Sequence, residues 1–126
     1  MRRLARFWRD RRGAAAIEAA FVLPLTLMLL LGLMEIGRMA WVQSALNFSV
    51  QEAARCAIVR PDLCGDTSHI AAYAVQRASP LVIPAADIAV AHPACGTQVS
   101  AAVPYKFLMW AIVPGAPTLH AQACRA

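Results

Sequence analysis

The sequence predicts an α+β chain. A long N-terminal helix, first transmembrane and then amphipathic, leads into an outer domain with a short helix and a small antiparallel sheet. Three observations carry that reading. An uncharged apolar run, Ala19 to Met34, follows an arginine-rich leader. Helical spacing of apolar residues then continues without a breaker to Val59. Three short strand-like runs fall between Asp87 and Cys124.

The composition sets the frame for these elements. Of 126 residues, 60% are hydrophobic and 15% are charged, against roughly 45–50% and about 25% in a soluble domain. That excludes a disordered, charge-rich chain and argues against an ordinary cytosolic domain. The formal net charge of +5 resides entirely in residues 1–12, where six arginines face one aspartate. Nucleic-acid binding needs cations spread over a folded face. Here they form one terminal run, so no nucleic-acid partner is expected, and residues 1–13 read as a basic cytoplasmic leader.

The membrane span is assigned to residues 14–36. From Gly13 to Met34 the only ionisable group is Glu18, and 22 residues of helix reach about 33 Å, close to a hydrocarbon core of roughly 30 Å. Arginines before the span and a neutral flank after it place the N-terminus in the cytoplasm. The run exceeds the 7–15 residues usual for the apolar region of a secretory signal, and no small-x-small cleavage site follows it. Pro24 removes one backbone bond and should bend the helix, which a membrane bundle tolerates. Glu18 needs a reason to be there, because a carboxylate costs about 2.5–3.5 kcal/mol at mid-bilayer and less near the interface. Either it snorkels to the cytoplasmic interface or it meets a cation, and cleavage after Gly13 would create one at Ala14.

The stretch RRGAAAIEAAFVLPLTLMLLLGLMEIGR resembles the N-terminal signature of the TadE-like family, pseudopilins of the tight-adherence (Flp) pilus assembly system. The matching elements are the basic leader ending in Gly13, the acid five residues on at Glu18, and Phe21-Val22-Leu23-Pro24. The leucine run and the Glu35-Ile36-Gly37-Arg38 exit complete the match. MAWVQSALNFSVQEAARCAIV is similar to the family's continuation, so the resemblance covers residues 11–59. It is weaker over 95–126, where an alternating strand, Tyr105, Phe107 and Cys124-Arg125 are similar to family members.

That resemblance implies cleavage between Gly13 and Ala14 by a prepilin peptidase, with Glu18 at mature position five. It implies a minor pilin-like subunit of the bacterial inner membrane, single-pass, with a periplasmic C-terminal domain and other pilin-like subunits and pilus assembly proteins as partners. One departure is Ala19, where related prepilins carry an aromatic residue. A chain of this kind left uncleaved would instead be a bitopic scaffold that recruits pilus or secretion components.

Residues 37–59 read as an amphipathic extension of the same helix. Met39, Val42, Leu46, Val50, Ala53 and Ala57 recur at three- and four-residue spacings, while Gln43, Asn47, Gln51 and Arg55 form a polar ladder on another face. Span and extension together predict one helix from about Ala14 to Val59. Residues 60–126 form the small α+β domain. Thr67 or Ser68 is expected to cap a helix over His69–Ser79, ended by Pro80. Strands are expected at Asp87–His92, Thr97–Phe107 and Thr118–Cys124, with Pro104 pushing the middle one toward a sheet edge or a bulge.

A domain of 67 residues needs staples, and Cys56, Cys64, Cys95 and Cys124 all fall in the region assigned outside, where disulfides form if it is a periplasm. Four cysteines allow three pairings. The preferred one joins Cys56 to Cys64, loop to helix, and Cys95 to Cys124, strand end to strand end. No tight Cys-x-x-Cys pair accompanies His69, His92 or His120, so no metal is expected. With no phosphate loop and no Ser-His-Asp arrangement, neither catalytic residues nor a cofactor are expected. Trp41 suits a membrane-interface belt, Trp110 a core or docking position, and PYKFLMWAIVP (104–114) a core segment or a subunit contact.

Overall fold

The structure is a computed structural model, which describes residues 12–108 and 115–126. It is an α+β fold. Helix α1 spans Arg12–Val59, helix α2 Thr67–Arg77, and strands β1, β2 and β3 span Ile88–Ala91, Thr97–Pro104 and Thr118–Arg125. Two compact units divide the chain, one ending at Ile36 and one running from Gly37 to Ala126.

In the first unit α1 is apolar on every side. Its large side chains are exposed all round, from 47% at Leu31 to 72% at Phe21 and Met34. A helix that is hydrophobic around its whole circumference needs lipid or neighbouring helices to cover it. It is the one helix among the described residues long and apolar enough to cross a membrane. Pro24 lies within it, and two residues on the Thr26 hydroxyl donates to the Val22 carbonyl at 2.9 Å, a back-bond of the kind that accompanies helix bending.

In the second unit the periodic face of α1 becomes the core. Val42, Leu46, Val50 and Ala53 are buried, with Met39 and Ala57 packed at the margins. Ser49 is the one buried polar residue of the face, satisfied by donating to the Leu46 carbonyl at 2.9 Å. The polar ladder also makes a tie, because Gln43 Nε2 donates to the His120 carbonyl of β3 at 2.7 Å. Arg38 donates to the Lys106 carbonyl and places its guanidinium 4.5 Å from the Tyr105 ring centroid, a cation–π contact. Tyr105 is itself buried and meets Phe107 edge-on at 5.3 Å.

Helix α1 stops at Val59, two residues before Pro61. Helix α2 departs from expectation at both ends. Its N-cap is Asp66, not Thr67 or Ser68: the Asp66 carboxylate accepts from the His69 backbone N–H at 2.8 Å, while Ser68 donates its hydroxyl to the same oxygen at 2.7 Å. A charged acceptor outcompetes a hydroxyl for an orphan helix donor. At the other end α2 closes at Arg77 rather than Ser79, since Pro80 disfavours helical backbone at the residue before it. The His69 backbone N–H, followed by Ser68, lowers the Asp66 pKa to about 2. The folded state therefore favours the carboxylate, and the cap stabilises α2 above pH about 4, fading as the pH falls toward about 2. Asp66→Ala should lower the thermal midpoint at neutral pH, with the gap to wild type closing on acidification; a gap that does not change with pH would contradict the cap.

The sheet order is β1-β2-β3, antiparallel throughout. Val99, Ala101 and Ala121 turn into the core with Ile83, Ile88, Ile70 and Ala74. The middle strand ends at Pro104, short of Phe107, and β1 loses one residue at each end of the expected run: Asp87 belongs to a 3₁₀ turn, Ala85–Asp87, and pairing stops at Ala91, before His92. Pro104 sits on the central strand, not an edge. Strand β1 pairs only with residues 98–101, so it never reaches Pro104. The Tyr105 N–H donates to the carbonyl of Pro117, the residue before β3, at 2.9 Å, and alternation then turns the Pro104 nitrogen to the side that β1 leaves open.

Candidate functional site

Gly13 and Ala14 lie in the first turn of α1, which holds no acidic residue and begins at Arg12. Both residues are exposed, and a Cβ added to Gly13 would meet nothing within 4 Å. A larger side chain there finds open space and leaves the helix unchanged. Glu18 is also exposed. It stands four residues beyond Ala14, one turn along the same helix face, so its carboxylate and an amine at Ala14 share one side of α1.

All four cysteines are paired. Cys56 bonds Cys64 with Cα atoms 5.8 Å apart, and Cys95 bonds Cys124 with Cα atoms 6.2 Å apart. The first bridge is buried and ties the end of α1 to the loop before α2; Cys95 of the second is exposed. Gly96 follows Cys95 with φ +109°, and a Cβ there would fall 2.1 Å from the Arg125 carbonyl oxygen, so only glycine lets the turn approach the end of β3. With their sulfurs bonded, the cysteines offer no thiolate, and no group of three His, Cys, Asp or Glu side chains suited to a metal occurs among the described residues. His69 is held by Asp66 at 2.8 Å, and His92 lies 3.4 Å from the Thr97 hydroxyl.

Of the tryptophans, Trp41 is half exposed at 50% on α1; residues 109–114 of the 104–114 run, Trp110 among them, lie outside the described residues. Within that run Tyr105 is core and Leu108 is exposed. One constellation escaped the sequence reading. Arg55, Arg60, Tyr73 and Arg77 come from α1, the following loop and α2, and only Arg55 stood in a recognised pattern.

Comparison with known proteins gives one match. No curated protein and no solved structure matches the chain. The family model of TadE-like proteins matches residues 13–55, beginning at Gly13 and running through the apolar span into the amphipathic half of α1. Over those residues the chain is similar to TadE-like proteins, a family that points to a tight-adherence (Flp) pilus system.

Proposed function

We propose that the chain is a minor pilin-like subunit of the inner membrane, cleaved by a prepilin peptidase between Gly13 and Ala14 and assembled with other pilin-like subunits into a Flp-type IV pilus or its initiation complex. The observation that carries this reading is the TadE-like match that begins at Gly13. The exposed apolar circumference from Ile17 to Ile36 supports it, since lipid covers such a surface before assembly and neighbouring helices cover it afterwards. Its work is packing rather than chemistry, so no enzymatic activity is proposed. Ala14, Ala15, Ala16, Ala19 and Ala20 let helices approach closely, and Glu18 pairs with the α-amine of an adjacent subunit. The leader stays cytoplasmic and the stapled domain, residues 60–126, is periplasmic.

Glu18→Gln tests the pairing. The amide keeps the shape and loses the charge-assisted bond, which is roughly twice as strong as a neutral one. Membrane insertion and cleavage should persist, while recovery of the subunit with its pilus partners after crosslinking should fall about tenfold, as expected for about 1.4 kcal/mol. Wild-type recovery would show that Glu18 only reaches the interface.

A further inference from the structure

We infer that the cleft between the end of α1 and α2 is a binding site for a tetrahedral oxyanion, a phosphate group either free or in an ester. The cleft encloses about 190 Å³ and is lined by Glu52, Arg55, Cys56, Val59, Arg60 and Tyr73. That is below the 300–1,000 Å³ of a drug-sized site and suits one small group. Within this lining the Tyr73 hydroxyl joins two arginines. Arg60 donates to it at 3.0 Å, and Arg77 donates to it through Nε at 3.0 Å. A phenolic oxygen has two lone pairs, and two guanidinium N–H groups occupy them. The Tyr73 O–H can then act only as a donor, and it finds no acceptor among the described residues.

Charge points the same way. Two guanidinium groups share one neutral oxygen, so they repel, and the cation of Arg55 lines the same cleft. The one carboxylate present, Glu52, lies 3.6 Å from Arg77 and leaves the cluster with two positive charges in excess. Each guanidinium carries five N–H donors. Arg60 uses one on Tyr73; Arg77 uses one there and faces Glu52 with another. The remaining donors and the Tyr73 O–H come from a helix, a loop and a second helix, so an anion that fills them must accept from three separate segments. A planar carboxylate satisfies donors in a plane; a phosphate group presents oxygens in several directions and can carry nearly two negative charges. The Cys56–Cys64 bridge fixes the loop that carries Arg60, so the site is preformed.

The test is an NMR titration of the full chain in nonionic detergent micelles, with inorganic phosphate, glycerol phosphate and acetate as probes. Phosphate should produce saturable shifts centred on Arg55, Arg60, Tyr73 and Arg77, and acetate should bind at least about tenfold more weakly. Tyr73→Phe keeps the ring and removes the donor. It should weaken phosphate about tenfold, the effect of losing one hydrogen bond to a charged group. Arg60→Lys, which keeps the charge and loses the fork, should do the same, with the thermal midpoint of either variant close to wild type. Saturation by the glycerol ester as well assigns the site to a phosphate group on a larger molecule, and saturation by inorganic phosphate alone assigns it to the free ion. Unsaturable shifts, wild-type affinity in Tyr73→Phe, or acetate binding as tightly as phosphate would each overturn the proposal.

Discussion

Cys95→Ser and Cys124→Ser should each destabilise the outer domain by about 3–4 kcal/mol, the chain-entropy value for a loop of this length. The bridge they break spans 29 residues of sequence separation. It holds the turn before β2 against the end of β3, where Thr97 pairs with Arg125. Domains of this size hold roughly 5–15 kcal/mol in all, so either variant should fall sharply in steady-state level. The double variant should be no worse than either single one, because both remove the same bond. Chemical unfolding of the three variants, analysed as a double-mutant cycle, checks this; additive losses would contradict the bond. The Cys56–Cys64 bridge has a sequence separation of only 8, and its loss should cost less by loop entropy, about 2.5 kcal/mol.

Gly13→Phe should abolish processing while leaving insertion and folding intact. Space around Gly13 is open, and the apolar run that drives insertion is unchanged. The expected result is a full-length chain in the membrane fraction with an unaltered outer domain, against a processed chain in wild type. A drop of at least about a hundredfold in the processed fraction corresponds to about 3 kcal/mol in recognition. Continued cleavage at the wild-type rate would contradict a peptidase that reads Gly13.

The helical half of the fold was legible because it rests on periodicity. Val42, Leu46, Val50 and Ala53 stand on the face that is buried, and nothing between Ala14 and Val59 competes with helix except Pro24, whose lost bond the helix absorbs. Gly37 passes without a break for the same reason. Local choices among near-equivalent residues were less legible. In Gly65-Asp66-Thr67-Ser68 three oxygens could cap α2, and Asp66 wins because its backbone is extended, with φ −132° and ψ 167°, where the chain leaves the disulfide loop. Gly65 permits that path, since a Cβ there would lie 2.7 Å from the Pro61 carbonyl oxygen.

The strand register depended on tertiary context. Pro104 reads as an edge residue, yet it sits on the central strand because β1 is too short to reach it. The candidate site divides the same way. Gly13, Ala14 and Glu18 are legible as a linear motif with fixed offsets. The cleft around Tyr73 is not, because Arg55, Arg60, Tyr73 and Arg77 lie on separate segments whose docking no spacing rule encodes.

The central claim is that this chain is a processed pilin-like subunit, and the mass of the protein recovered from membranes of cells with an active prepilin peptidase tests it most directly. Intact-mass measurement, backed by N-terminal sequencing, should find a chain that begins at Ala14 and lacks the arginine-rich leader. A chain that retains Met1 to Gly13 in those cells would contradict the account and favour an uncleaved bitopic scaffold.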